Sequence, residues 1–529
     1  MKSLKVLVLV MAVLGMAIVA SGAAAAKNIF TMSHTQEFGT IDPARGTDYT
    51  ESYAMLNLYD GLVFPSSAGA IEPKLAESWE ISSDGLAYTF TLRQGVKFHD
   101  GTELKADDVK FTMERVLALK EGYSFLWAGI VAGVTVDSPY VVTFHLSKVY
   151  APFLATLPWL FIVNKDQILA HKAPGKFGEF GDYGAEWLAV TQNEDAGSGP
   201  YTLKSNDKIQ EIVFERFLDY WEGWPHGDKS IDEAHSIFLV ETATCKAMLR
   251  TGELTMVEHW RTYEDYVEMD AIPGVTALNF LSPEELCYKI NTKKTPTDDV
   301  HIRRMLAWAF DYDTMLNVVE PGSGPARGPI PPAIPGYNPR AFQYYQDLDK
   351  AREELKLSKY YPNVPTIQIV TPAGLEARRR VAVQFKETLA TLGVNAEISV
   401  EQWGRMTDLA ATKETSPNIM IISVSSNYPD ADTYLQFMYA SSAVGTWGSC
   451  EWLLDPLVDQ LIEQERTTLD PEERAHILNV IQDIIVERCP DIFVNVLALR
   501  VATQDYLKGF TYRPVMSFYY YFHDWWFEK

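Results

Sequence analysis

Residues 96–115 read VKFHDGTELKADDVKFTMER, and the interpretation of this stretch decides the fold. His99 stands beside Asp100, and Asp107 and Asp108 follow within ten residues, which raises the question of a metal or catalytic cluster. One histidine with two such acids has no recognised metal-ligand spacing. The glycine after Asp100 suits a turn, and carboxylates in the first turn of a helix complement its dipole. We therefore predict a turn followed by a helix.

The neighbouring stretches alternate between strand-like and helix-like patterns. AYTFTLR (87–93) and YVVTFHLS (140–147) each place apolar residues on one face, which predicts half-buried strands. Residues 375–400 predict a helix, a stop at Gly393 and a strand. Asp470 with Pro471 predicts the capped start of another helix, which a further strand follows. This alternation is typical of α/β lobes.

Composition and charge exclude several classes of protein. The chain has 529 residues, of which 47% are hydrophobic and 22% charged, a composition that forms globular cores. The formal net charge of -24 opposes binding to nucleic acid and to anionic lipid. Repeats of fixed period and low-complexity segments are not found after the first 26 residues.

The N-terminal residues predict export. A basic start, an apolar run over 6–20 and the small residues SGAAAAK match a signal peptide that is cut after Ala25 or Ala26. No cysteine lies near this cut, so we expect a soluble periplasmic protein and not a lipoprotein. An oxidising compartment permits disulfides, and the four cysteines (Cys245, Cys287, Cys450 and Cys489) allow three pairings. Buried free thiols remain an equal alternative.

The quoted stretch also carries a family resemblance. Residues 73–115 resemble the signature of the family 5 periplasmic solute-binding proteins of ABC transporters, the dipeptide, oligopeptide and nickel type. Further blocks resemble other parts of that family: GSGPYTL (197–203), FERFLDYWEG (214–223), residues 231–258, residues 290–315, IPPAIPGYNP (330–339) and the helix after Asp470. The resemblance covers essentially the whole chain after the signal peptide. One departure is Lys105, where the family often has a threonine that caps the helix.

The resemblance implies an α/β fold, a two-lobed periplasmic-binding-protein clamshell with an extra inserted domain and the ligand buried between the lobes. After a signal peptide at 1–26, lobe I is expected to combine 27–53, 190–289 and 500–529. The inserted domain is expected at 54–189, and lobe II at 290–499.

The resemblance also implies where the ligand is held. In the loop DPARGTDYTESY the expected ligand-binding residues are Thr47, Asp48 and Tyr49. Trp403 follows a predicted strand of lobe II, and Trp127 is the expected contribution of the inserted domain. Aromatic side chains suit such sites because they offer a large apolar surface with a polar edge.

The segment SVSSNYPDADTY (423–434) departs from the peptide-binding pattern. Peptide-binding members commonly have a tryptophan, two small residues and an aspartate-tyrosine pair here, and that aspartate pairs with the peptide ammonium. This chain has Val424 and Asn427 at those positions, followed by Tyr428. Asn427 and Tyr428 are expected to bind the ligand, but an amide cannot neutralise a buried ammonium. Asp430, Asp432 or Asp48 could take over that role.

The function expected from the resemblance is that of an extracytoplasmic solute-binding component of an ABC importer. It would capture a peptide or peptide-like solute as a monomer, without a cofactor, and deliver it to an inner-membrane permease. Oligosaccharides are an alternative, because 12% of the residues are aromatic and suit stacking on sugar rings. Nickel fits poorly, since only His301 and His476 fall between 290 and 500. A secreted hydrolase is a minor alternative, but the chain has no G-x-S-x-G, H-E-x-x-H or phosphate-loop motif. A chaperone-like binder of unfolded peptide is a third class.

Overall fold

The computed structural model describes residues 27–515 and 518–528, so the predicted signal peptide lies outside the described residues. The strands are β1 (Ile29–His34), β2 (Val63–Pro65), β3 (Ile71–Pro73), β4 (Ala76–Ile81), β5 (Ala87–Leu92), β6 (Val131–Ser138), β7 (Val141–Leu146), β8 (Tyr201–Asp207), β9 (Glu211–Arg216), β10 (Glu233–Phe238), β11 (Met256–Val257), β12 (Val275–Ile290), β13 (Gly324–Pro325), β14 (Ile367–Pro372), β15 (Ala396–Glu401), β16 (Ile419–Val424), β17 (Asp491–Gln504), β18 (Leu507–Lys508) and β19 (Trp526–Phe527).

The α-helices are α1 (Tyr49–Leu58), α2 (Ala106–Leu119), α3 (Phe153–Thr156), α4 (Lys165–Ala170), α5 (Ala185–Val190), α6 (Thr242–Thr251), α7 (Tyr263–Asp270), α8 (Val300–Ala309), α9 (Tyr312–Thr314), α10 (Leu348–Leu357), α11 (Glu376–Thr391), α12 (Trp403–Ala410), α13 (Asp432–Tyr434), α14 (Pro456–Thr467) and α15 (Pro471–Arg488). Short 3-10 helices and two π-helical turns, Met315–Val319 and Leu435–Tyr439, complete the described elements. No helix in the described part is both long and apolar enough to cross a bilayer.

One large mixed sheet runs through the molecule. Its strand order is β15-β14-β16-β12-β17-β11-β1-β10-β9-β8, and β13 pairs with β17 outside this path. In one half of the sheet β1 runs parallel to β10 and β11, and in the other half β14 runs parallel to β15 and β16. The long antiparallel pair β12 and β17 joins these halves. We call them the first half (β1 and β8–β11) and the second half (β14–β16).

A register shift in β12 separates the two halves. Leu281 pairs with Ala498 and Glu285 pairs with Val496, so residues 282–284 break the ladder. Val275, before the shift, packs in one hydrophobic core, and Leu286, after it, packs in another. In β12, the first residue that packs in the core of the second half is therefore Leu286. The predicted start of lobe II, residue 290, comes a few residues later.

The predicted strands around the quoted stretch are confirmed in a separate small sheet of order β4-β5-β7-β6. Tyr88, Phe90 and Leu92 of β5 are buried, as the alternation predicts. The helix after the turn is also confirmed as α2, although Lys105 provides no side-chain cap. Instead, the backbone N–H of Lys105 donates to Asp108 Oδ2 at 2.9 Å. The carboxylate of Asp108, in the first turn of the helix, therefore satisfies the N–H of the residue that precedes the helix, as in a capping box.

His99 is a structural residue. Its Nδ1 lies 2.5 Å from Asp195 Oδ1, and its Nε2 lies 2.9 Å from the carbonyl oxygen of Gly199. Burial of the ring disfavours its charged form, but Asp195 and the carbonyl outweigh this effect and leave the pKa of His99 raised. The imidazole therefore holds the turn against the segment that precedes β8. The quoted stretch is thus a turn and a helix start, as predicted.

The later predicted elements are confirmed. Helix α11 precedes Gly393, which has a φ of 78°, and β15 follows. The side chain of Asp470 accepts from the N–H of Glu473 at 2.9 Å at the start of α15. All four cysteines are buried free thiols, which is the alternative that the sequence left open beside disulfides.

Candidate functional site

The register of the sheet shows where a ligand site can form. The carboxyl end of β16 is Val424, which pairs with Glu285 beside the shift in β12, so β16 points toward the first half. Strand β11 pairs antiparallel with β17 and runs toward the shift, so it points toward the second half. The carboxyl ends of the parallel strands therefore face each other across the junction of the halves. Ligands of open α/β sheets bind outside such strand ends.

On the first half, aromatic residues and one carboxyl group line this junction. Glu258, His259 and Trp260 follow β11 directly, and Tyr49 begins helix α1. The Tyr49 hydroxyl donates a hydrogen bond to the Glu258 carboxylate. The Tyr49 ring centroid lies 5.5 Å from that of His259 and 5.8 Å from that of Trp260. Trp260 is 51% exposed, so this wall presents an aromatic surface to solvent.

The loop before Tyr49 is exposed but well ordered by one buried carboxylate. Glu51 Oε2 accepts from the backbone N–H groups of Thr47, at 2.8 Å, and Asp48, at 3.0 Å. Glu51 Oε1 accepts from the N–H of Thr40 at 3.0 Å. Burial raises the pKa of Glu51 despite these bonds. Thr47 and Asp48 are therefore held at the start of α1 with their side chains outward.

Two aromatic residues connect this loop with the second half. The Tyr123 hydroxyl donates to the carbonyl oxygen of Thr47 at 3.3 Å, and its ring stacks on Trp159 at 4.1 Å. Trp159 Nε1–H donates to the carbonyl oxygen of Asn427. The predicted ligand residues of the two halves thus lie within two side chains of each other.

The loop after β16 holds a dense network of charges. Tyr428 donates from its hydroxyl to Asp432 Oδ2 at 2.8 Å. Arg466 Nε lies 3.1 Å from Asp432 Oδ1, and Arg474 makes two hydrogen bonds to Asp430, at 2.8 and 2.6 Å. Asp430 and Asp432 already have cationic partners, so neither is free to replace the family aspartate.

The two predicted tryptophans lie apart from this group. Trp403 begins helix α12, is 47% exposed and packs edge-on against Trp447 at 5.2 Å. Trp127 is 1% exposed, and its Nε1–H donates to Thr156 Oγ1 at 3.0 Å inside the inserted segment. Its ring and its N–H are both used in the core, and a contribution of Trp127 to the ligand wall stays a prediction.

The electrostatics of the site suit binding. Burial raises the pKa of the Glu258 carboxyl to about 8, and burial lowers the pKa of His259. His259 Nδ1 lies 3.0 Å from the Tyr520 hydroxyl. Within 27–515 and 518–528, no cluster of three His, Cys, Asp or Glu side chains could hold a metal ion. The arrangement offers apolar contact area, hydrogen-bonding groups and one buried carboxyl.

Sequence reasoning missed several of these residues: Tyr123, Trp159, Glu258, His259 and Trp260. A signal for three of them was present, because Glu258 ends the block GELTMVE that resembles the family and directly follows a strand. Residues after the carboxyl end of a parallel strand are ligand candidates on topological grounds. Tyr123 and Trp159 had no comparable signal, since only the tertiary fold brings them to the junction.

The chain is similar to known transport proteins. A family model described as bacterial extracellular solute-binding proteins, family 5, matches residues 70–446. The di/tripeptide-binding protein 2 of Pseudomonas aeruginosa (strain UCBPP-PA14) is 28% identical, over 85% of this chain and 86% of the relative. The probable D,D-dipeptide-binding periplasmic protein DdpA of Escherichia coli (strain K12) is 26% identical, over 94% and 93%.

A solved structure agrees with the fold. The periplasmic binding protein DppA from Helicobacter pylori, in complex with the peptide STSA, superposes with a TM-score of 0.75 at 25% identity, covering 95% of this chain and 98% of that one. The fold is therefore mixed α/β with two lobes and a ligand position between them, as the resemblance implied. The chain belongs to the bacterial extracellular solute-binding proteins, family 5.

Proposed function

We propose that this family 5 protein is the extracytoplasmic component of an ABC importer that captures a peptide or peptide-like small solute. It delivers this solute to a membrane permease. The proposal rests on one observation. The carboxyl ends of the parallel strands in both halves of the sheet face the same junction, and aromatic and polar residues line this junction. Its relatives with peptide-binding names support the ligand class.

The proposed binding residues come from both sides of the junction. Thr47, Asp48 and Tyr49 form the wall on lobe I, and Asn427 with Tyr428 forms the opposite wall. We also propose that Trp403, which follows β15 on lobe II, contributes its exposed ring to ligand binding. An elongated ligand between these walls would contact both lobes, which is the condition for ligand-driven closure.

We assign the lobes from strands β12 and β17, which join the two halves of the sheet. Lobe I comprises 27–53, 190–289 and 500–529, apart from the few residues after the shift in β12, and lobe II comprises most of 290–499. The inserted domain, 54–189, carries the separate four-stranded sheet. We further propose a monomeric periplasmic protein whose signal peptide is removed on export.

The protein binds its solute without chemical conversion. A secreted hydrolase would release product when it is incubated with dipeptides or oligosaccharides. We expect stoichiometric binding of a peptide and no product, as measured by calorimetry and by mass spectrometry of the same mixture. Product formation that depends on the protein would contradict the transport function.

A thermal-shift screen with dipeptides, oligopeptides, β-linked sugars and nickel tests the ligand class. A ligand at about 100 times its dissociation constant stabilises a protein by about 2.7 kcal/mol, which is measurable. We expect a shift with peptides that Tyr49→Ala abolishes and Trp127→Phe leaves in place, because Trp127 lies in the core. Shifts with sugars alone would overturn the peptide assignment.

A further inference from the structure

Glu258 is a buried carboxyl group that the structure leaves incompletely bonded. It follows β11 at the junction of the lobes and is 0% exposed. Its Oε2 accepts from the Tyr49 hydroxyl. Thr35 also lies close enough to favour the ionised carboxyl, but Oε1 has no hydrogen-bond partner of normal geometry among the described residues. A buried oxygen without a partner is costly, so such an atom in a binding site calls for a ligand donor.

The cation nearest to Glu258 in sequence does not satisfy it. Arg261 donates from its guanidinium to the carbonyl oxygens of Leu239, at 2.6 Å, and Val240, and it contacts the sulfur of Cys245. Its hydrogen bonds therefore hold the segment before α6 rather than the carboxyl. Burial raises the pKa of Glu258, and the charge of Arg261 offsets this only in part, so the ionised carboxyl has no hydrogen-bonded cation among the described residues.

The surroundings of Glu258 favour an organic cation. The rings of Tyr49, His259 and Trp260 surround its side of the junction, with His259 and Trp260 centroids 4.6 Å apart. Aromatic faces attract ammonium groups, and more strongly where water is excluded. Burial of His259 keeps its ring neutral, so it does not repel a cation.

The two carboxylates of the loop after β16 are already engaged. Asp430 pairs with Arg474, and Asp432 pairs with Arg466. The family aspartate on lobe II is replaced by the neutral Asn427. Asp48 is exposed, so water screens its charge.

We propose that Glu258, with the aromatic wall of Tyr49, His259 and Trp260, receives the primary ammonium group of the ligand. The ammonium end would therefore lie on lobe I and not beside Asn427. An ammonium carries three donors, so one can reach Oε1 while the others stay hydrated or bind neighbouring oxygens. The inference rests on the proposed function, since it assigns one end of the solute in the same site.

Calorimetry with three probes tests this assignment: the dipeptide Ala-Phe, its N-acetylated form and β-phenylethylamine. We expect the wild-type protein to prefer Ala-Phe over N-acetyl-Ala-Phe by about tenfold or more. Glu258→Gln should remove this preference by weakening Ala-Phe alone. Glu264→Gln is the matched control, which removes an exposed carboxylate from the helix after Glu258 and should change affinity by less than about threefold.

The outcomes separate the inference from the proposed function. An unchanged preference in Glu258→Gln, equal wild-type affinity for both dipeptides, or no binding of any probe would overturn the inference. Binding of β-phenylethylamine that depends on Glu258, without binding of either dipeptide, would support the inference and contradict a peptide function. Thermal melts check that Glu258→Gln is folded. If it is not, Glu258→Asp takes its place, because it withdraws the charge by one methylene. This variant should weaken the binding of Ala-Phe and leave the binding of its acetylated form unchanged.

Discussion

Single residues at the edges of the lobes show how one side chain can connect distant segments. His99 belongs to the inserted segment, yet its two ring nitrogens contact Asp195 and Gly199, almost one hundred residues later. Asn427 receives a hydrogen bond at its backbone oxygen from Trp159, and its amide side chain is half-buried beside the proposed ligand position. Each residue carries a prediction.

Replacement of His99 by glutamine should destabilise the protein in a pH-dependent way. The pKa of His99 is raised in the folded state, so its ion pair contributes fully below the unfolded pKa near 6.5. That contribution is lost as pH rises through the folded pKa. We expect His99→Gln to lower the free energy of unfolding by about 1–3 kcal/mol at pH 5.5 and by less at pH 9. Urea unfolding at both values measures this, and an equal loss at both would show that the ring acts only through packing.

Replacement of Asn427 by aspartate should weaken ligand binding. The new carboxylate would lie in a half-buried loop that already contains Asp430 and Asp432, so its ionisation is disfavoured. We expect about tenfold weaker binding of Ala-Phe, equivalent to about 1.4 kcal/mol, by calorimetry. Asn427→Ala controls for loss of the amide alone. Tighter binding by the aspartate variant would place the ligand ammonium at this loop instead of at Glu258.

At the scale of secondary-structure elements, one carboxylate holds the start of α2, where the family threonine is missing. Asp108 Oδ2 accepts from the N–H of Lys105, and its Oδ1 accepts from the N–H of Lys165 at 3.0 Å, the first residue of α4. One carboxylate therefore orients two helix starts of the inserted segment. Asp107, beside it, is exposed to solvent.

These contacts predict unequal effects for two adjacent aspartates. Asp108→Ala leaves two backbone N–H groups without acceptors and should lower the free energy of unfolding by about 1–2 kcal/mol. Asp107→Ala removes a favourable interaction with the helix dipole and should cost less than about 1 kcal/mol. Urea titrations of both variants give the comparison. Equal losses would mean that the dipole interaction, rather than the two hydrogen bonds, sets the stability of this helix start.

At the scale of the whole molecule, the inserted segment makes a polar contact with the residues after β16 and with helix α14. Tyr150 donates from its hydroxyl to Asp432 Oδ2 at 2.9 Å and lies 3.3 Å from the Tyr428 hydroxyl. The N–H of Ala151 donates to the carbonyl oxygen of Arg466 at 2.7 Å, and the Arg466 guanidinium lies over the Tyr150 ring. This contact joins parts of the chain that would move relative to each other in the proposed opening of the lobes.

Tyr150→Phe should therefore favour the open form. The change removes the hydrogen bond to Asp432 and keeps the ring, so the fold should persist. Small-angle scattering should show ligand-induced compaction of the wild-type protein, and the variant should need about five- to tenfold more ligand to reach it, a loss of about 1–1.5 kcal/mol. Phe125→Tyr, at an exposed position of the same segment, serves as a neutral control. An unchanged radius of the wild-type protein at saturation would contradict closure itself.

The sequence by itself determined the strands and helices whose apolar spacing and capping residues are local. Strand β5, the stop of α11 at Gly393 and the cap of α15 at Asp470 follow from neighbours within a few residues, which a sequence displays directly. The family resemblance also identified Tyr49 and Asn427, and the structure brings their loops close together. It did not find Tyr123, Trp159 or Glu258, and it named Trp127, whose burial in the core it could not show.

Only the tertiary structure decided where Tyr123, Trp159, Glu258 and Trp127 lie. The direction of β11 toward the shift in β12 brings Glu258 to the junction, and that direction depends on pairing with β17, which is distant in sequence. Whether a tryptophan lines a cleft or fills a core depends on what packs against it, which composition does not reveal. Charges behave likewise: Asp430 and Asp432 look available in the sequence, but Arg474 and Arg466 from later helices neutralise them. Long-range packing therefore determines which carboxylate remains for a ligand.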